Sequence, residues 1–91
     1  ILEELFAIIK DRQSDPKEGS YTNQLLGEGI SRIGQKVIEE AGETALSAVA
    51  KDDEASITNE IADLLFHTMV LMAASDISPK AVWEELYNRK K

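Results

Sequence analysis

Two short acidic segments hold the residues whose types and spacing could do chemistry: Glu39-Glu40-Ala41-Gly42-Glu43 and Glu60-Ile61-Ala62-Asp63. Glu40 with Glu43, and Glu60 with Asp63, are i, i+3 pairs, so on helices each pair shares one face. Carboxylate oxygens suit a hard cation such as Mg²⁺, which commonly takes carboxylates, waters and substrate phosphates together. Four converging carboxylates repel one another unless a cation neutralises them. With the cation in place they can bridge to a triphosphate and activate water for attack on phosphorus. The plainer reading is a solvated helix face, because glutamate is common on exposed helices. Two features weigh against it. Glu39 and Glu43 are like charges at i, i+4, unfavourable by about 0.2–0.5 kcal/mol in an isolated helix. No Lys or Arg occurs between Lys51 and Lys80, so Glu60 and Asp63 have no basic partner nearby in sequence.

The elements that must position these acids are helices. Apolar residues at Leu2, Leu5, Phe6, Ile8 and Ile9 predict a helix over Leu2 to Gln13, with acids in its first turn. Ser14 to Ser20 reads as a loop broken by Pro16 and Gly19. Ser20 or Thr22 is placed to cap a short helix reaching Leu26, with a bend at Gly27 and Gly29. A long helix is predicted from about Glu28 to Lys51, with Ile30, Ile33, Val37, Ala41, Ala45 and Ala48 along its buried side. Gly34 and Gly42 are unfavourable there by about 1 kcal/mol each relative to Ala, which suggests close helix–helix approach. After the acidic turn Asp52 to Glu54, a further helix runs to about Ser75, burying Ile57, Ile61, Leu64, Leu65, Thr68, Leu71 and Met72. Ser78-Pro79 opens a last helix that packs through Ala81, Val82, Leu86 and Trp83. No segment alternates with period 2 and no repeat is visible. Residues 1–91 therefore read as one all-α domain, an antiparallel helical bundle. On helical wheels the four acids fall roughly 70–160° from the apolar stripes, on the same rotational side, beside the core face.

Bulk properties narrow the partners. A chain of 91 residues is short for a self-sufficient core, so a second copy would help to complete it. With 43% hydrophobic and 30% charged residues it is a folded globular sequence, and with 5% aromatics its core must be aliphatic. There is no cysteine, which excludes thiolate chemistry and fits a reducing, cytoplasmic compartment. The longest mostly apolar stretch, Leu64 to Ala74, is too short for a bilayer, so no membrane partner is expected. A net charge of −7 repels a nucleic-acid backbone. It admits an anionic nucleotide only with a cation between the two.

The strings SYTNQLLGEGISRIGQKVIEEAGETALSA, NEIADLLFHTMVLM and VWEELYNRK, from Asp11-Arg12 to Arg89, resemble the phosphoribosyl-ATP pyrophosphohydrolases. These belong to the MazG-like all-α nucleotide pyrophosphohydrolases. The resemblance implies hydrolysis of phosphoribosyl-ATP to phosphoribosyl-AMP and pyrophosphate, the second step of histidine biosynthesis, by a homodimer. It implies Mg²⁺ on Glu40, Glu43, Glu60 and Asp63, with Glu39 orienting or deprotonating water. Lys36 is the other catalytic candidate, set to meet phosphate or to pair with Glu40. Arg12, Ser20, Tyr21 and Thr22 fall in what resembles the substrate-side loop, although by residue type Tyr21 and Thr22 read as a helix start with an aromatic anchor. His67 and Arg89 are further substrate-side candidates, with a hydrogen-bonding core role and an exposed terminal charge as their alternatives. Nothing resembles the cyclohydrolase to which this activity is fused in many organisms, so a monofunctional form or an excised piece is expected. The competing functions are a house-cleaning nucleoside triphosphate pyrophosphatase of the same superfamily and a non-catalytic cation-binding or dimerisation module.

Overall fold

In the computed structural model, which describes residues 1–90, the chain forms helices α1 (Leu2–Ser14), α2 (Tyr21–Glu28), α3 (Ile30–Val49), α4 (Glu54–Ala74) and α5 (Pro79–Asn88). Among the described residues there is no strand, and no single helix is long and apolar enough to cross a membrane. Local side-chain chemistry sets most of the boundaries. Ser20, Asp53 and Ser78 cap α2, α4 and α5, each accepting the backbone N–H three residues on, from Asn23, Ser56 and Ala81. The Ser56 hydroxyl and N–H hold the Asp53 carboxyl below its ordinary value. That cap is therefore complete above the unfolded carboxyl pKa and fades as pH falls through the folded one. Between α1 and α2, Asn23 stitches the loop: its amide donates to the Arg12 carbonyl at 2.6 Å and its Oδ1 accepts from the Lys17 N–H at 2.7 Å.

The short second helix runs past Leu26 to Glu28, and the expected bend forms at Gly29 alone, while Gly27 continues the helix. Gly29 ends α2 and begins α3 at φ 93°, ψ 169°, backbone angles that an L side chain rarely adopts.

The core lies at one end of the molecule. Ile9 of α1, Leu25 of α2, Ile33 of α3 and Met69, Val70 and Ala73 of α4 are buried together, flanked by Leu2, Leu5, Phe6, Leu26, Phe66, Leu71 and Met72. Hence α1 and α2 cover only the half of the α3–α4 pair that contains Ile33 and the C-terminal turns of α4.

The buried face of α3 is not the expected one. Of the apolar stripe only Ile33 is buried and Val37 half-buried; Ile30, Ala41, Ala45 and Ala48 are exposed. Glu40 and Ser47 are buried in their place, with Thr44 half-buried between them. The contact face is displaced from the apolar stripe by one residue, about 100° of rotation. A periodicity argument finds the apolar face but does not say which neighbour covers it. On α4, likewise, Ile61 and Leu65 are exposed, whereas Met69, Val70 and Ala73 are buried. That helix is apolar over most of its circumference, so its pattern does not select a face. Gly34 and Gly42 have no heavy atom within 4 Å of where a Cβ would stand, so no helix of this chain approaches them. On α5, Val82 and Trp83 are half-buried while Ala81 and Leu86 are exposed, and the Trp83 indole N–H donates to Glu3 at 2.9 Å.

Gly29→Ala should destabilise the chain by about 1–3 kcal/mol through backbone strain, read as a lower urea midpoint at unchanged m-value.

Candidate active site

The rotated packing puts the acids inside the α3–α4 seam instead of beside the core. Glu40, Glu60 and Asp63 each present one carboxylate oxygen, and the three oxygens lie within 4.8 Å of one another. Glu40 is only 6% exposed. Glu43 is exposed and stands outside this trio, one turn along α3, around an open pocket with Ser47, Asp52, Ser56 and Glu60. Each helix supplies its ligand candidates for a simple reason. An i, i+3 or i, i+4 step keeps side chains on one face, and the short 50–53 turn folds that face of α4 back onto α3.

The electrostatics of the trio are unbalanced. Buried Oε2 atoms of Glu40 and Glu60 have no hydrogen-bond partner. A buried acceptor left unpaired costs about 1–3 kcal/mol, and more when charged. Among the described residues neither Glu60, Asp63 nor Glu43 takes part in an ion pair, which agrees with the missing basic residues on α4. Oxygen donors of this kind fit a hard divalent cation. At metal–oxygen distances of about 2.1 Å, opposite ligands stand about 4.2 Å apart, so small carboxylate rotations would close the set.

One cation of the chain does reach the site. Lys36 Nζ lies 3.3 Å from Glu39 Oε2 and 3.6 Å from Glu40 Oε1. The Glu39 carboxylate, first among several acidic neighbours, raises the Lys36 pKa above its ordinary value, so the ammonium stays charged at neutral pH. Glu39 also meets Arg32 at 3.8 Å, and Arg32 meets Glu28 at 3.4 Å. Glu39 thus faces solvent within a ladder of alternating charges, and Lys36 pairs with it more closely than with Glu40.

The substrate-side candidates fall into two groups. Tyr21 and His67 touch the site. The Tyr21 hydroxyl is 2.8 Å from His67 Nε2, and His67 Nδ1 is 2.7 Å from the backbone oxygen of Asp63. A carbonyl only accepts, so Nδ1 carries a proton; Nε2 accepts from the phenol when the ring is neutral and donates to the phenol oxygen when it is charged. His67 is buried, and Tyr21 stacks on Phe66 with ring centroids 6.2 Å apart. These contacts tie α2 to the helix carrying Asp63. The others make local contacts. Ser20 is the α2 cap, and Thr22 is half-buried in the first turn of that helix. Arg12 pairs with Asp11 at 3.1 Å and Arg89 with Glu85 at 3.2 Å, neither with the carboxylate trio.

Two site residues escape a reading by residue type. The Thr44 hydroxyl lies 2.7 Å from the Glu40 carbonyl and 3.1 Å from the Glu60 carbonyl, and Ser47 donates to Asp52 at 2.8 Å. Their signal was present as the polar spacing 40, 44, 47, which is i, i+4, i+7 on an otherwise apolar helix. A divalent cation that binds only the folded chain should stabilise it by about 2.7 kcal/mol at 100 times its Kd. Thermal unfolding in Mg²⁺ against EDTA should show the rise in Tm, and Glu40→Gln should abolish it.

Comparison with known proteins shows the family of the chain. A family model described as phosphoribosyl-ATP pyrophosphohydrolase matches residues 2–90. A phosphoribosyl-ATP pyrophosphatase of Azospirillum brasilense is 44% identical over 90 residues, covering 99% of this chain and 80% of the relative. One from Sulfurisphaera tokodaii is 45% identical over 91 residues, covering 100% of this chain and 96% of the relative. The histidine biosynthesis bifunctional protein HisIE of Helicobacter hepaticus is 44% identical over 89 residues, 98% of this chain but 38% of that longer protein. By its fold, its acidic seam and these matches, the chain belongs to the phosphoribosyl-ATP pyrophosphohydrolase family.

Proposed function

We propose that this chain hydrolyses phosphoribosyl-ATP to phosphoribosyl-AMP and pyrophosphate, the second step of histidine biosynthesis, with Mg²⁺ as its cation. The observation that carries the proposal is the buried Glu40 carboxylate, unpartnered at Oε2 and converging with Glu60 and Asp63, in a chain of this family. Glu40, Glu60 and Asp63 would hold the ion, with Glu43 joining from the next turn. Bound there, Mg²⁺ supplies charge neutralisation for the phosphates and Lewis-acid activation of the anhydride. The chain's own groups do the rest. Water adds to one phosphorus of the α–β anhydride as the bridging P–O bond breaks, and a carboxylate of the Glu39–Glu43 segment takes the proton. Lys36, fixed by Glu39, offers an ammonium to the charge that builds on the departing pyrophosphate. Tyr21 and His67 place the start of α2 over the site, so that Ser20, Tyr21 and Thr22 face the rest of the substrate.

The active form in this proposal is a homodimer. Ile38 (75% exposed), Leu46 (70%) and Val49 (80%) line α3 next to Gly42, which no atom of this chain approaches, and Ile61 and Leu65 are exposed on α4. Such a stripe, with small residues that admit a close neighbour, suits the same stripe of a second copy. Sedimentation equilibrium should give about twice the chain mass of 10.1 kDa, and Leu46→Lys should shift it to a single chain. Gly42→Ala should lower the stability of the dimer, although in an isolated helix it would gain about 1 kcal/mol.

Activity is tested by pyrophosphate release from phosphoribosyl-ATP with Mg²⁺, where Glu40→Gln should lower kcat/KM by about 100-fold or more. An intact substrate would overturn the proposal. Faster hydrolysis of a plain nucleoside triphosphate would instead assign a house-cleaning role.

A further inference from the structure

We propose that Thr44 is a positioning residue that sets the α3–α4 separation at which the Glu40 and Glu60 carboxylates converge. The inference rests on the reading of Glu40, Glu60 and Asp63 as cation ligands. A mid-helix threonine commonly donates to the carbonyl one turn back, and Thr68 does only that, to Leu64 at 2.7 Å. Thr44 does something more. Its single hydroxyl hydrogen stands between two carbonyls, that of Glu40 on its own helix and that of Glu60 across the seam. Both carbonyls belong to candidate ligands. Among the described residues this is the one hydrogen bond that crosses directly between α3 and α4.

The position matters because little else fixes the helices at this level. The large buried apolar residues lie beyond it, around Ile33, Met69 and Val70. Neighbouring Ala41, Ala45, Ile61 and Ala62 are exposed and do not pack in the seam. Meanwhile the three carboxylates push the helices apart. Ligand geometry has to hold within about 0.5 Å for a site to bind its ion well, and a shift of one helix moves two ligands at once. A hydroxyl that bonds both backbones resists that shift. Simple filling of the seam would be served by valine, which has the same shape and no hydroxyl to desolvate.

The test uses Mn²⁺ as probe, titrated without substrate and followed by its free-ion paramagnetic resonance signal, on the unaltered chain and on Thr44→Val, Thr44→Ser and Thr44→Ala. Thr44→Val should weaken Mn²⁺ binding about 10-fold or more, the range found when groups that orient metal ligands are removed. Thr44→Ser, which keeps the hydroxyl, should restore it to within about threefold. In turnover assays the Mg²⁺ concentration for half-maximal rate should rise for Thr44→Val while the rate at saturating Mg²⁺ recovers. If Thr44→Val binds Mn²⁺ as the unaltered chain does, or if Thr44→Ser binds no better than Thr44→Val, the proposal is overturned. Should Thr44→Val not fold, Thr44→Ser against Thr44→Ala decides in the same way: a tighter serine variant supports the role, and equal affinities remove it. Failure of the unaltered chain itself to bind Mn²⁺ would overturn the cation reading, and this inference with it.

Discussion

The structure depends on a seam in which α3 and α4, its two longest helices, meet through acids and hydroxyls. Glu40 and Thr44 from one side meet Glu60 and Asp63 from the other. Burying a carboxylate beside two others is unfavourable by several kcal/mol unless something of opposite charge enters. Lys36 answers only part of that charge, and from the rim. The rest of the fold follows from the choice. Since the seam uses the polar face of α3, its apolar face must turn outward, and α1 and α2 are too short to cover it. They enclose the other end of the pair, where Ile33, Met69, Val70 and Ala73 supply the only extensive apolar packing among the described residues.

Much of this was legible in the sequence because it is local. Helix ends follow from Ser20, Asp53 and Ser78-Pro79, whose side chains and ring act within one turn. The i, i+3 spacing of Glu40–Glu43 and Glu60–Asp63 was enough to place acids on facing helices. Illegible was the rotation of α3. Its sequence holds two neighbouring stripes, the apolar 30, 33, 37, 41, 45, 48 and the polar 40, 44, 47. Period alone ranks the apolar stripe first, as the face turned to the chain's own core. In this chain Ala41, Ala45 and Ala48 of that stripe are exposed, and the polar stripe together with Ile33 takes the intramolecular contact. Gly34 and Gly42, expected to mark close helix–helix approach, have no neighbour in this chain. Glu43 shows the limit of spacing arguments: it shares a face with Glu40 but sits a turn nearer solvent, outside the trio.

Family membership and physical reading carry different weight across the site. The trio stands on burial, unpaired oxygens and proximity, all independent of resemblance. Arg12, Ser20 and Arg89 stand differently, since the chain already gives each a local partner: Asp11, the α2 backbone and Glu85. Exposed pairs like Arg89–Glu85 are worth little and are easily exchanged for a phosphate. A half-buried cap such as Ser20 is harder to recruit. Lys36 lies between these cases, because its partner Glu39 is exposed while its other neighbour is the least exposed acid of the chain.

The hydrogen bonds from Asp63 to Tyr21 also have a direction. The Asp63 carbonyl requires a hydrogen on the imidazole Nδ1, and in the neutral form of the ring Nε2 then takes the phenol hydrogen of Tyr21. By the time this polarity reaches the surface, the Tyr21 oxygen has only lone pairs left to show. A phosphate, itself all lone pairs, finds nothing to bind there. An amino or hydroxyl group does. The backbone of a half-buried acid thereby dictates, through two side chains, which end of an incoming molecule the rim will welcome.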